Sequence, residues 1–223
     1  IKVREFEKNK NLFFVTRKGV VKKSELTLFN NIMKAGKRAI KLNDEDEVMF
    51  VGLTSGSGKD EIFVATRNGI AIRFSEKNVR SMGTIAAGVK GITLRDKDKI
   101  IGAAIINSEI DDTEIKILTI TEEGYGKCTK LSEYRLTSRG GKGILNAKLN
   151  EKTGQIIDVK VVGKDDEIML ITSEGTLIRT SVNNISVIGR TATGVRIMKV
   201  RNNEKIASVV KITEEPKLDE DEQ

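Results

Sequence analysis

A short apolar run ending in Thr-x-x-Gly occurs four times in this 223-residue chain: residues 12–16 before Gly19, 62–66 before Gly69, 115–121 before Gly124 and 168–172 before Gly175. A strand, a four-residue turn whose glycine tolerates positive φ, and a second strand is how a β-hairpin is written in sequence. The turns read Thr-Arg-Lys-Gly, Thr-Arg-Asn-Gly, Thr-Glu-Glu-Gly and Thr-Ser-Glu-Gly. Four copies of one hairpin commit the chain to a repeat architecture.

Each hairpin is followed by a second glycine, at Gly36, Gly88, Gly143 and Gly194, and six residues later by an apolar anchor, Leu42, Leu94, Leu149 and Val200. The two glycines lie 17, 19, 19 and 19 residues apart, so only the first connecting loop is shortened, by two residues. A polar turn (43–47, 95–99, 150–154, 201–205) then leads into another apolar strand at Val48–Leu53, Ile100–Ile106, Ile156–Val162 and Ile206–Ile212. A unit of about 50 residues with about four strands is the period of propeller-like arrays, whereas helical repeats are shorter and show 3.6-residue periodicity. Residues 24–29 and 76–82 suit short helical turns, but neither holds a sustained apolar stripe, and Val, Ile and Thr dominate the rest. The chain therefore reads as all-β. One body is expected over 1–213, in repeats at about 1–60, 61–114, 115–166 and 167–213, and a disordered tail over 214–223 that contains the sole proline, Pro216.

The formal charge of +7 conceals an asymmetry, because the tail holds six acids against Lys217, a net of −5, and leaves +12 on residues 1–213. This suits a basic body for a polyanion and an acidic tail that competes for the same surface. Cations recur at fixed offsets. Four residues after the hairpin glycine stand Lys23, Arg73 and Arg179, and the third copy has Cys128 there with Lys127 beside it. Two residues after the second glycine stand Arg38, Lys90 and Arg196; four before it, Arg139 and Arg190; eight before it, Arg80 and Arg135. For any single position the alternative is ordinary solvent-facing charge, but repetition in register predicts a basic rim. Such a stripe is the footprint of duplex DNA held through phosphates, with slight sequence preference. Aromatic residues are 4% of the chain and tryptophan is absent, so stacking platforms for single strands are lacking. The densest stretch is Ser138-Arg139-Gly140-Gly141-Lys142-Gly143-Ile144, where Gly140, Gly141 and Gly143 clear side chains from the main chain beside Arg139 and Lys142, a suitable cradle for phosphate.

Several chemistries lack their parts. With no histidine, the usual general base and commonest metal ligand are missing, so the sequence argues against an active site in this segment and calls for no cofactor or metal. Cys128, the single cysteine, has no partner for an internal disulfide and reads as a small strand residue. Ser55-Gly56-Ser57-Gly58-Lys59-Asp60 imitates a phosphate-binding loop but has Leu53 where glycine is needed and Asp60 where Ser or Thr is needed, so it reads as a linker between repeats. The acidic pieces 44–47 and 111–112 lack the spacing and central glycine of a calcium loop. Tyr125 and Tyr134 have neither a histidine nor a convincing acid-and-arginine constellation around them. No apolar run approaches ~18 residues, so no membrane association is expected, and the opening Ile1-Lys2-Val3 reads as part of a longer cytosolic chain.

The Thr-x-x-Gly hairpins, Gly124-Tyr125-Gly126-Lys127, residues 187–195 (Val-Ile-Gly-Arg-Thr-Ala-Thr-Gly-Val) and residues 138–143 closely resemble the C-terminal domain of bacterial DNA gyrase A, over about residues 12–213. The resemblance implies a β-pinwheel, a propeller-like disc whose blades exchange strands and whose basic perimeter wraps double-stranded DNA. It implies partnership with the remainder of gyrase A and with gyrase B, in an A2B2 enzyme that supercoils DNA at the expense of ATP in the bacterial cytoplasm, associated with the nucleoid. The breakage tyrosine and ATPase site of the family match nothing in this chain. The family's glycine-rich box, Gln-Arg-Arg-Gly-Gly-Lys-Gly, belongs to its first blade, while the third repeat here has Thr137-Ser138-Arg139-Gly140-Gly141-Lys142-Gly143. Residues 138–143 thus read as a degenerate copy, and since such pinwheels usually have six blades, two are expected upstream. The related C-terminal domain of topoisomerase IV, which serves decatenation, is the nearest alternative. A propeller-type protein-interaction scaffold is the competing class, though Trp-Asp and kelch-like signatures are absent.

Overall fold

The structure is a computed structural model describing residues 3, 5–31, 34–111, 113–201 and 204–212; the acidic tail expected over 214–223 lies outside the described residues. Each repeat contributes a hairpin and a third antiparallel strand. In repeat one these are β1 (Asn11–Thr16), β2 (Val20–Glu25) and β3 (Val48–Leu53). Repeat two has β4 (Glu61–Thr66), β5 (Ile70–Ser75), a short β6 (Val89–Lys90) and β7 (Ile100–Ile106). Repeat three has β8 (Lys116–Thr121), β9 (Tyr125–Lys130), the short β10 (Leu136–Thr137) and β11 (Ile144–Leu145), and β12 (Ile156–Val162). Repeat four has β13 (Glu167–Thr172), β14 (Leu177–Ser181), a short β15 (Val195–Arg196) and β16 (Ile206–Ile212). The four long third strands match the expected ranges residue for residue.

The recurring threonine and glycine close the hairpins together. The amides of Gly19, Gly69, Gly124 and Gly175 donate to the carbonyls of Thr16, Thr66, Thr121 and Thr172. The hydroxyls of Thr16, Thr66 and Thr172 accept from the amide one residue past the glycine, and all four glycines hold φ between +77° and +88°. An L-residue there meets its own carbonyl, which is why the spacing is invariant.

Four sheets result, and in three of them the outer strand comes from the next repeat. β6 pairs with β2, β10 and β11 pair with β5, and β15 pairs with β9. Blade four is a three-stranded sheet in the order β14-β13-β16. The register is constant: the two residues after Gly88, Gly143 and Gly194 pair antiparallel with the two after the hairpin glycine of the preceding repeat, as Val89 and Lys90 do with Val21 and Val20. Successive blades also meet through β3, β7, β12 and β16.

The core lies between blades rather than within them. In β4, Ile62 and Val64 enter the cluster shared with blade one, around Phe13, Val15 and Phe74, while Phe63 and Ala65 enter the cluster shared with blade three, around Ile117 and Leu131. Blades three and four close over Leu118, Ile120, Ile168 and Leu170. Burial on both faces explains why these strands read as unbroken apolar runs. Short 3-10 turns after β2, β5, β9 and β14 bear out the expectation of little helix. The residue nine before the second glycine, Val79, Tyr134 or Ile185, is buried in each of repeats two to four. Tyr134 meets Phe63 edge-on at 5.0 Å, and its hydroxyl donates to Asn146 Oδ1 at 2.5 Å.

The hairpin glycines of the second and third blades also have no room for a side chain. A Cβ on Gly69 would stand 2.5 Å from the Ala147 carbonyl, whereas one on Gly175 would meet nothing within 4 Å. Gly175→Ala should therefore cost only the backbone term of about 1–2 kcal/mol, and Gly69→Ala should cost about 3–5 kcal/mol because a main-chain carbonyl must move as well. Thermal denaturation of the two variants checks the difference.

Candidate nucleic-acid interface

Each exchanged segment reaches its neighbour through a loop carrying the cations singled out in sequence. In repeat three, the Gly140 amide donates to the Gly91 carbonyl at 2.6 Å, Thr93 Oγ1 donates to the Gly140 carbonyl at 2.7 Å, and the Thr93 amide donates to the Gly141 carbonyl at 2.8 Å. The glycine-rich stretch is thus docked on the exchange segment of repeat two. Gly140 is required by its φ of +82°, and Gly143, at φ +70°, would place a Cβ 2.6 Å from the Ala71 carbonyl. Much of the main chain expected to be open for phosphate is engaged inside the fold, which corrects that expectation for Gly140 and Gly143; Gly141 remains exposed.

Two of the recurring arginines brace the same loops. Arg139 Nη1 donates to the Lys90 carbonyl at 3.0 Å and its Nε to the Asn78 carbonyl at 2.8 Å. Arg190 Nη1 donates to the Leu145 carbonyl at 2.5 Å, while its amide donates to Glu133 Oε2 at 2.9 Å. Both guanidiniums reach the carbonyl two residues past the second glycine of the preceding repeat, so they stitch neighbouring rim loops together and remain half-buried.

Four past the hairpin glycine, the cations of repeats one and two are turned inward, contrary to expectation. Arg73 is 7% exposed, bonds Glu61, and directs Nη1 to the carbonyls of Leu131 and Tyr134, both at 3.2 Å. Lys23 lies 3.6 Å from Glu76 Oε2 and donates to the Glu76 carbonyl at 3.1 Å. Arg179 pairs with Glu167 and is exposed. Lys127 is 1% exposed, with its ammonium on the carbonyls of Gly189 (2.9 Å) and Arg190 (2.6 Å). Lys127 and Arg73 are therefore withdrawn from the accessible rim, because the charged end of each is taken up by main-chain carbonyls contributed by the next repeat. Lys22, not singled out in sequence, is the counterpart of Lys127 three residues after Gly19; it is buried, with Nζ on the carbonyls of Ala39 (2.5 Å) and Thr84 (2.9 Å).

What remains outward is a set of cations near the second glycines, all but Arg38 on exchanged segments. Arg38, Arg80, Lys90, Arg135, Lys142 and Arg196 are exposed. Arg135 and Lys142 share with Thr137, Ser138 and Gly141 the lining of a recess of about 220 Å³ beside Arg73. Arg196 lies over the Tyr125 ring at 5.3 Å and donates to its hydroxyl at 2.9 Å, so its direction is fixed. Point charges on braced loops can neutralise fixed anions. No group of three side chains suited to hold a metal ion is present among the described residues. Cys128 is buried, and that burial raises its thiol to about 11, away from the nucleophilic range. The phosphate-loop look-alike is a linker held by Asp60, whose carboxylate accepts from the Ser55 amide and hydroxyl.

The family model of the DNA gyrase C-terminal domain, a beta-propeller, matches residues 10–55, 60–107, 116–163 and 166–213, one match for each blade. The chain belongs to the DNA gyrase A C-terminal domain family.

The DNA gyrase A protein of Staphylococcus epidermidis is 42% identical over 216 residues, covering 96% of this chain and 24% of that protein. Its Staphylococcus aureus counterpart is 39% identical over 226 residues, covering 100% and 25%. The chain thus spans about a quarter of the curated relatives it matches. Among solved structures, the C-terminal domain of DNA topoisomerase IV superposes with a TM-score of 0.86 at 31% identity, covering 95% of this chain and 64% of that one. A DNA gyrase A C-terminal domain gives 0.82 at 26%, covering 95% and 68%. The strand-exchanged disc implied by the sequence is the fold of the gyrase family.

Sequence reading also missed a rim position in this gyrase-family domain. Lys41, Lys148 and Lys199 each stand five residues past a second glycine and each is exposed; their common offset was the available signal. The buried Lys22 and Lys127 carried no such signal, because a lysine three past a hairpin glycine looks solvated until the neighbouring loop covers it. Burial lowers the Lys127 pKa to about 8, with Arg190 adding to the depression and Glu133 opposing it. The folded state therefore releases this proton near pH 8, whereas the ordinary lysine value is 10.5, so the unfolded chain binds more protons in that window and stability gains from rising pH. Relative to Lys127→Met, the wild type should gain stability between pH 8 and 10, and denaturant melts at pH 7 and 9.5 check the sign.

Proposed function

We propose that this chain binds double-stranded DNA along its rim and bends it, and so supports ATP-dependent negative supercoiling by an enzyme assembled from gyrase A and gyrase B. The observation that carries the reading is the row of outward cations, Arg38, Arg80, Lys90, Arg135, Lys142 and Arg196, all close to a second glycine and all but Arg38 on exchanged segments, in a body of high positive charge. Duplex DNA presents phosphates at regular spacing, and loops already braced by Arg139, Arg190, Lys22 and Lys127 need little ordering to meet them. The role is non-catalytic: the domain holds and shapes DNA for a cleavage centre and an ATPase site elsewhere in the enzyme. The bacterial cytoplasm, in association with the nucleoid, is the expected setting, and no described helix is long and apolar enough to cross a membrane.

A topoisomerase IV role is the second reading, favoured by the TM-score of 0.86 to that enzyme's domain. The 42% identity to a gyrase A protein over nearly the whole chain, against 31% for the topoisomerase IV structure, supports gyrase. Equilibrium binding to plain duplex DNA tests the proposal. If about 6–8 phosphates are neutralised, log affinity falls with log salt at a slope of roughly −5 to −7. Arg135→Ala with Lys142→Ala should flatten that slope by about 2 and weaken binding to all sequences alike. A salt-independent affinity overturns the proposal, and ligation of nicked circles in the presence of the domain reports whether bound DNA is bent.

A further inference from the structure

The rim loops differ in what their tips carry. Three residues before the second glycine, repeat three has Gly140, repeat four has Thr191 and repeat two has Ile85. Ile85 is 74% exposed, the highest value of any large apolar side chain among the described residues; Leu136 follows at 53%. A scattered apolar side chain on a surface is ordinary. Its setting distinguishes Ile85 from such cases, because the main chain beneath it is clamped. The Ala86 amide donates to the Gly83 carbonyl at 3.2 Å, which makes Ile85 the third residue of a tight turn. The Thr84 carbonyl accepts from Lys22 Nζ at 2.9 Å, the Ala86 carbonyl accepts from the Lys41 amide at 3.2 Å, and the Met82 amide donates to the Lys23 carbonyl at 2.8 Å. Lys22 is itself fully buried, so solvent does not compete for its part of the clamp.

The side chain stands clear of its own loop. A Cβ on Gly83 would meet nothing within 4 Å, and the residues that follow Ile85 are Ala86 and Ala87, too short to shield it. β-branching leaves isoleucine few rotamers, so a partner that buries it freezes little freedom. Cations stand on both sides of the tip. Lys22 Nζ also takes the Ala39 carbonyl at 2.5 Å, and together with the bond from the Lys41 amide this draws residues 38–41 of repeat one alongside residues 84–86. Arg38 and Lys41 are thus brought beside the tip from one loop, while Arg80 and Lys90 flank it on its own, five residues to either side. All four are exposed.

On the reading that this rim binds duplex DNA, we propose that Ile85 is an apolar wedge, entering the duplex at one base step and opening a kink there while Arg38, Lys41, Arg80 and Lys90 hold the phosphates on either side. An apolar side chain inserted from the minor groove partly unstacks a step and bends the duplex toward the major groove, and the cost is lowest at the flexible pyrimidine–purine steps. Insertion needs a backbone that does not retreat and charges that keep the DNA pressed against it, and the clamped turn and its four cations supply both. Phosphate contacts alone spread a bend along the duplex and carry no sequence information. A wedge concentrates part of the bend at one point and so selects where along the DNA it falls.

Fluorescence tests the wedge with the 223-residue chain and two short duplexes. One carries a single thymine–adenine step whose adenine is a fluorescent analogue that brightens on unstacking; the other carries the analogue inside a stiff A-tract. The wild type should brighten the first duplex about 2-fold, leave the second unchanged, and bind the first about 5-fold more tightly. Ile85→Ala should abolish the brightening and bring the two affinities within about 2-fold of each other. Its thermal melting and the salt slope of binding should match the wild type, because neither a buried contact nor a charge is removed. Ile85→Leu should keep the brightening. Flat emission from the wild type with salt-dependent binding intact overturns the wedge and leaves the duplex-binding rim standing, and brightening that survives in Ile85→Ala overturns it as well. An affinity independent of salt removes both.

Discussion

The structure depends on one main-chain junction, the passage of each second glycine against the hairpin of the preceding repeat. A short strand pair, a bond to the hairpin-glycine carbonyl and a close approach that leaves no room for Cβ recur there at Gly88, Gly143 and Gly194. The clusters around Phe13, Phe63 and Leu118 form only when two blades are side by side, and the exchanged strand fixes that spacing. A single repeat buries neither face of its sheet, so stability is shared between neighbours as in other repeat arrays.

The same junction sets the interface. Because the exchanged segment lies outermost in the neighbouring sheet, the residues around each second glycine are carried to the rim, and half of the recurring cations serve to hold them there. Arg139 and Arg190 link one rim loop to the one before it, and Lys22 and Lys127 pin the loops from beneath through main-chain carbonyls. Arg38, Arg80, Lys90, Arg135, Lys142 and Arg196 project outward instead. A charge that looks like a ligand contact in sequence is thus often a support, and the contacts stand beside it.

Periodicity made the fold legible to a fine scale. The Thr-x-x-Gly hairpins, the long third strands and the scarcity of helix follow from local chemistry: a threonine hydroxyl and a positive-φ glycine close a turn wherever they stand at that spacing. The candidate site was legible only in outline. Offsets from the second glycine located Arg38, Lys90, Arg196, Arg80 and Arg135, which are exposed, and all but Arg38 lie on the segment that forms the outer edge of the first three blades. Offsets from the hairpin glycine failed for Arg73 and Lys127, since whether a hairpin residue is covered depends on a loop about 60 residues further along, as the bonds from Arg73 to Leu131 and from Lys127 to Gly189 show.

The sequence by itself determined the architecture of the unit, the number of units and the sign of the charge, because each of these is written in local spacing and composition. The tertiary structure alone decided which repeat completes which sheet, and which cations are struts and which face solvent. Those facts belong to contacts between repeats. The same residue types at the same offsets acquire different environments according to whether a neighbour is there to cover them.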